Sequence, residues 1–499
     1  MALQNLVKGE MLMNFYEAKS NIFTSWFYPL VVAALVLVGS LTGLEVYTAF
    51  INVLLVSIAL WVSNTIKPFL FFLLTFAYQL PKEHLYPSDY YYTGDRPYFL
   101  IAAGVILVVS LVAFIVKNGI FERADKFVKI PLFIPLCVLS VGFMLNGLTK
   151  QPYNFMNLVW AGVMMLVYFL LYIVIYLGIK GEDSKGMAEY FTYMTFLISW
   201  ILIIQMCKIY FVDGVLKDGT IDRGSITMGY GVCNLIGFHI STLIPVNFYG
   251  FMKGKFPLLS IITAFALFFA NIATTSRNST LVGTFYFVFC LIFSIFVVQK
   301  RPRSKVILIV MLTLSGAFAA AIHLYWVRPD LVTSEVAVQI LEPCKALISQ
   351  YVHRGMDSSG RTDIWKKCVE IFKENPIFGA GFFGVKVSPQ MVPGEYIPEY
   401  AHNTIFELIA ATGIVGTACY LFYRVATIKY LVHNFSLDRF MILLGASILV
   451  AESLLDNYVF QIYTTFYYIV AFAIAARLYE TKKEPDSWMD MIVKEGKYL

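Results

Sequence analysis

The chain of 499 residues is 59% hydrophobic and 16% aromatic but only 14% charged, where a soluble globular protein carries roughly 25% charged residues. Its net charge is a modest +6, and apolar runs of about 20 residues, enough to cross a bilayer core, recur from end to end. A soluble enzyme, a nucleic-acid binder and a disordered scaffold are excluded; an all-α polytopic membrane protein is expected.

Taken in chain order, fourteen apolar stretches read as transmembrane helices: 26–44, 46–63, 66–80, 98–116, 130–147, 155–179, 190–212, 227–249, 257–275, 279–298, 306–326, 403–423, 438–455 and 457–477. They divide the chain into residues 1–256 with helices one to eight, 257–326 with helices nine to eleven, a polar loop 327–402, residues 403–477 with the last three helices, and a tail 478–499. Alternation puts most of the Lys and Arg on the side that holds both ends of the chain. The short segments of the other side carry Lys82, Arg96, Lys150, Lys217, Arg223 and Arg277. Positive residues mark the cytoplasm, so both termini are expected inside and the long loop outside. No basic region, short apolar core and small-residue cleavage site open the chain, so the first helix is expected to stay as an uncleaved anchor.

A polar loop as long as 327–402 is usually functional or disordered, and this one has helical periodicity. Val336, Ile340, Cys344, Leu347, Ile348 and Tyr351 repeat at helical spacing, with Pro343 expected to bend the run. A second helix is expected after Asp357-Ser358-Ser359-Gly360, a good capping stretch. It sets Ile364, Trp365, Cys368, Val369 and Phe372 on one face and Lys366, Lys367, Glu370 and Lys373 on the other, and Asn375-Pro376 ends it. Five of the seven cysteines fall in apolar runs and read as small core residues; no metal-ligand spacing is present. Cys344 and Cys368 share the loop, which leaves a disulfide open.

The run Gly379-Ala-Gly381-Phe-Phe-Gly384 matches G-x-G-x-x-G in letters. A dinucleotide fingerprint needs a strand before it and a helix after it; a helix precedes this one, so a tight glycine turn is the better account. Gly413-Ile-Val-Gly416 reads as a site of close helix packing. On the outer side stand Arg277 in Thr275-Ser276-Arg277-Asn278-Ser279, Arg361 at the start of the second loop helix, and His402 at the mouth of the twelfth membrane helix. Polar residues near that face, Asn403, Glu407, Glu452, Asp456 and Asn457, are costly in a membrane unless paired or facing water. Aromatic candidates for sugar contact are Tyr325, Trp326, Trp365 and the tyrosines between Lys82 and Arg96, beside the plainer reading of an interfacial aromatic belt.

Four blocks from Ser359 onward carry a resemblance: Gly360-Arg-Thr-Asp-Ile-Trp, then Asn375-Pro-Ile-Phe-Gly-Ala-Gly, then Ala401-His-Asn-Thr-Ile-Phe-Glu, then Thr412-Gly-Ile-Val-Gly. Their order and spacing resemble the signature of the O-antigen ligase and polymerase superfamily, and Thr275-Ser276-Arg277 resembles its earlier Ser-Arg element. The resemblance implies a GT-C-like glycosyltransferase of the bacterial inner membrane, multi-pass, with its site facing the periplasm or cell exterior. It implies an inverting, metal-independent reaction without cofactor, on a glycan carried by undecaprenyl pyrophosphate. The implied partners are that lipid-linked oligosaccharide, membrane lipid, and the flippase and chain-length regulator of the same pathway. The matching functional positions are Arg277, Arg361 and His402.

Those residue types suit the chemistry. Neutral histidine is poised to take a hydroxyl proton near pH 7, and guanidinium groups stay charged and meet phosphate oxygens bidentately. His402 is therefore expected as general base, with Arg277 and Arg361 on the pyrophosphate. A repeat-unit polymerase is preferred over a ligase because the helix number and the N-terminal half depart from the ligase pattern. A flippase or other transporter is the reading from another class. Carriers show internal repeats around a midplane site, whereas no repeat is present here and the polar groups gather at one face.

Overall fold

The computed structural model describes the chain except residues 1–21, 80–93, 121–128, 151–153, 180–183, 218–219, 222–225, 229–230, 254–255, 299–300, 355–360, 386–400, 434–435, 457, 460–461 and 481–499. Asn457, most of the tyrosine-rich segment, the capping stretch before Arg361 and nearly all of the tail fall outside the described residues.

Each of the fourteen apolar stretches forms a helix. The helices are α1 (Phe27–Thr42), α2 (Glu45–Val62), α3 (Lys67–Gln79), α4 (Arg96–Lys117), α5 (Phe133–Met144), α6 (Phe155–Gly178), α7 (Ser184–Phe211), α8 (Cys233–Lys253), α9 (Pro257–Ala273), α10 (Arg277–Val297) and α11 (Pro302–Val327). After them come the loop helices α12 (Glu335–Arg354) and α13 (Arg361–Glu374), then α14 (Thr404–His433), α15 (Leu437–Glu452) and α16 (Ile462–Glu480). Among the described residues eight helices are long and apolar enough to cross a membrane, and four more are shorter apolar helices. Two two-residue hairpins, Leu216–Lys217 with Thr220–Ile221 and Thr227–Met228 with Gly231–Val232, precede α8. The second hairpin's strands take Thr227–Met228 and Gly231–Val232, so α8 begins later than its apolar run.

The centre of the bundle is α8, whose membrane window is 100% buried, while α11 at the edge has 6% of its window buried. A helix apolar all round belongs inside a core or in lipid. Which of the two applies is set by side-chain size: Gly237, Ser241 and Gly250 let α9 and α10 close onto α8. The loop helices form as expected, and α13 buries Cys368 and Ile371 while Lys366, Lys367 and Glu370 stay exposed. The disulfide does not form: Cys344 and Cys368 are both free thiols, buried on different helices. Burial pushes each thiol up to about 12, with the Glu407 carboxyl adding to the rise at Cys368.

Gly379 and Gly381 make the expected tight turn, both with positive φ. The turn does more than reverse the chain. Gly413 interrupts α14 with φ 62° and ψ −159°, and the turn fills the gap. Ala380 and Gly381 donate to the carbonyls of Ala410 and Ala411, each at 2.8 Å, and Ile414 and Val415 donate to those of Pro376 and Ile377. The orphan groups on both sides of the break are thus satisfied by one piece of backbone. Close packing therefore explains Gly416, which meets Gly142 of α5, but not Gly413, which is a helix break.

Candidate functional site

The turn that follows α15 organises the site. The carbonyls exposed at a helix C-terminus need donors, and the first N–H groups and capping side chains of other helices can supply them. Here three helix N-termini meet residues 453–456. Thr404, the first residue of α14, donates its N–H to Ser453 O at 2.8 Å. Asn403 caps α14 through Oδ1, which accepts from the N–H of Ile405 and of Phe406, and its Nδ2 donates to Leu454 O at 2.7 Å. Leu455 O accepts from two helices at once, from Nδ2 of Asn278 on α10 at 3.1 Å and from Nη1 of Arg361 on α13.

The next residue, Asp456, carries the contact with His402. Its Oδ1 lies 2.9 Å from His402 Nδ1. With Asp456 ionised the ring proton sits on Nδ1, and Nε2 keeps its lone pair. Nε2 has no hydrogen-bond partner among the described residues. The exposure of the pair is unequal, 44% for the His402 side chain against 10% for Asp456. The imidazole is reachable and the carboxylate that orients it is shielded.

Backbone strain marks the same place. Among the described residues four that are not glycine have positive φ, and two of them are Thr275 at 55° and His402 at 49°. Such conformations cost of order 1–3 kcal/mol and persist where the surroundings hold them. Thr275 leads into Ser276, whose hydroxyl caps α10 and whose next residue is Arg277. Arg277 is half-buried at the first position of α10, beside the Asn278 that shares Leu455 O with Arg361. All three expected functional residues therefore sit at helix N-termini, where the dipole favours anions.

The supporting residues divide. Glu407 reaches back to accept the Ala401 N–H at 2.7 Å, fixing the residue before His402. Trp365 donates Nε1–H to Ala401 O at 3.0 Å and stacks on Phe406 with ring centroids 5.1 Å apart. Glu452 is fully buried, with its Oε2 2.8 Å from the Ser279 hydroxyl. Tyr325 and Trp326 end α11 elsewhere: the Tyr325 hydroxyl meets Glu342 of α12 at 2.5 Å, and Lys345 lies over its ring. Trp326 is 36% exposed. Among the described residues no group of three or more His, Cys, Asp or Glu is placed to hold a metal ion.

Sequence reasoning did not single out Asn234 or Tyr458. Nδ2 of Asn234 reaches Asp456 Oδ2 at 3.5 Å, its Oδ1 accepts from the Ser276 hydroxyl at 2.9 Å, and the Tyr458 hydroxyl lies 3.4 Å from Asp456 Oδ2. A polar residue at the first turn of an apolar helix was the available signal for Asn234. Nothing local pointed to its partner 222 residues away.

The sequence model of the family described as O-antigen ligase matches residues 262–421. That segment holds Arg277, Arg361 and His402, and the match supports the O-antigen ligase and polymerase superfamily for this chain. No curated protein matches the chain.

Proposed function

We propose that this protein is a membrane glycosyltransferase that moves a glycan from undecaprenyl pyrophosphate to a hydroxyl of another lipid-linked repeat unit. It is a repeat-unit polymerase of surface polysaccharide, O-antigen, capsule or exopolysaccharide. The observation that supports this most is the His402–Asp456 pair, its imidazole exposed, on the turn that the N-termini of α10 and α13, with Arg277 and Arg361, also meet.

The chemistry follows from those groups. His402 Nε2 takes the proton of the acceptor hydroxyl as the oxygen attacks the anomeric carbon. The bond from that carbon to the pyrophosphate oxygen breaks, and the lipid pyrophosphate leaves with the electron pair. One displacement inverts the anomeric centre. Asp456 stabilises the imidazolium that forms, and the guanidinium groups with the first N–H groups of α10 and α13 stabilise the charge on the leaving group. Arg361 spends one of its five N–H donors on Leu455 O, which fixes the fork without consuming it. The proposed setting is the bacterial inner membrane, with both termini in the cytoplasm and the site on the outer face.

The ligase description of the matched family favours a second reading, transfer of a finished glycan to lipid A–core. Purified protein in liposomes with one labelled undecaprenyl-pyrophosphate repeat unit separates the two. A ladder of chain lengths that His402→Ala abolishes is the expected result. A single unchanged band overturns polymerisation of that substrate; label that moves only when lipid A–core is added establishes the ligase, and label that crosses the bilayer unaltered establishes a carrier.

A further inference from the structure

Behind the site lies a buried polar cluster that the proposed reaction does not use. Glu452 of α15, Asn271 of α9, Ser241 of α8 and Ser276 and Ser279 at the start of α10 are all at most 1% exposed. Small residues bring these helices together: a Cβ on Gly237 would strike Ser279, and one on Gly283 would strike Asn271.

Counting hydrogens shows that the cluster is short of donors. The Ser279 hydroxyl has one proton and two acceptors, Glu452 Oε2 at 2.8 Å and the Asn234 carbonyl at 3.0 Å. The Ser276 proton goes to Asn234 Oδ1 at 2.9 Å. The Ser241 hydroxyl faces Glu452 as well, but its proton has the Gly237 carbonyl at 2.8 Å. Both N–H bonds of Asn271 are spent, on Ser241 Oγ at 2.8 Å and Ser279 O at 3.0 Å. Glu452 Oε1 and Asn271 Oδ1 are left with no hydrogen-bond partner.

Among the described residues no cationic side chain pairs with Glu452, and the charged group acting on it is Asp456, of the same sign, one turn on. A buried carboxylate without a counter-charge is strongly disfavoured. One added proton ends the competition for the Ser279 hydrogen. Glu452 then donates to Ser279, and Ser279 is free to donate to the Asn234 carbonyl.

We propose that Glu452 stands in the resting protein as a neutral carboxylic acid, a hydrogen-bond donor to Ser279 that leaves Asp456 to carry the negative charge at His402. It is a positioning residue, acting through Ser279 and Asn234 on Asp456. The charged and titratable groups around the cluster are Asp456 and Tyr458 on the turn, Tyr286 and Arg277 on α10, Arg361 on α13, Cys233 beside Asn234 on α8, and His402 paired with Asp456. The consequence for catalysis rests on the transferase reading above: a second carboxylate charge would weaken the attraction of Arg277 and Arg361 for a pyrophosphate.

Infrared spectroscopy of the full chain in vesicles at neutral pH tests this without any substrate. The expected result is a protonated-carboxyl C=O band that moves on transfer to D2O, disappears in Glu452→Gln, and shifts to higher frequency in Ser279→Ala, where the acid loses its acceptor. If Glu452→Gln does not fold, the Ser279→Ala shift carries the assignment. A spectrum in which neither variant alters such a band, or in which Glu452→Gln removes a carboxylate band instead, overturns the proposal. In the transfer assay a neutral Gln should stand in for a neutral acid, keeping activity within about threefold and leaving the pH profile in place. A folded Glu452→Gln protein that loses more than about tenfold overturns the positioning role. Absence of transfer in the wild type sinks the transferase reading and leaves the infrared result to stand by itself.

Discussion

Two turns close two gaps in this bundle, and they do so by opposite means. The turn at 376–381 plugs the break in α14 with backbone alone, and its left-handed residues, Gly379 and Gly381, are glycines, as is Gly413 opposite. The turn at 453–456 is met mainly by side chains, from Asn278, Arg361, His402 and Asn403, and the left-handed residues beside it are Thr275 and His402. Where only shape is required, glycine supplies a positive φ at no steric cost. Where a particular side chain is required, the strain is kept and the surroundings hold it. The first turn serves the scaffold; the proposed chemistry lies at the second.

The sharpest way to separate them is to remove a side chain from the second. His402→Ala should lower transfer by about 10²–10⁴-fold, the usual worth of a general base. His402→Asn, which tolerates the left-handed conformation, should lose as much activity while changing the unfolding free energy by less than about 1 kcal/mol, measured by thermal melting in detergent. Asp456→Asn should also lose activity through the wrong tautomer, and adding it to His402→Ala should cost nothing more, because the pair acts as a unit. A double variant far below His402→Ala would mean that Asp456 works separately.

The converse change strikes the scaffold. In Gly413→Ala the new Cβ would lie 2.5 Å from the Ile377 carbonyl oxygen, at a φ of 62°. Strain of this kind is worth about 3 kcal/mol, and a melting temperature equal to wild type would show that the break is dispensable. A smaller effect is expected at Arg361→Lys, which keeps the charge and loses the fork. One charge-assisted hydrogen bond of about 1.5–3 kcal/mol corresponds to roughly tenfold to a hundredfold in kcat/KM. The smallest effect is expected on the loop helices α12 and α13. Cys344 and Cys368, with thiols pushed up to about 12, should label slowly with thiol reagents at neutral pH and give the same gel mobility with and without reductant.

The helices are legible in consecutive residues alone. All fourteen apolar runs and both loop helices are there, because apolar length and 3.6-residue periodicity are local properties written in consecutive residues. The sequence also singled out His402, Arg361 and Arg277, expected on the outer side, through residue types and a motif order that need no coordinates. What it could not contain is which groups meet. Glu407 and Asn403, read as needing partners or water, find them in Ala401 and Leu454, and Gly413, read as packing, breaks its helix. The pairing of His402 with Asp456 spans 54 residues and that of Asn234 with Asp456 spans 222, and neither separation leaves a periodic trace. These pairings follow from packing, since a turn with unsatisfied carbonyls takes its donors from whichever helix ends the bundle brings to it.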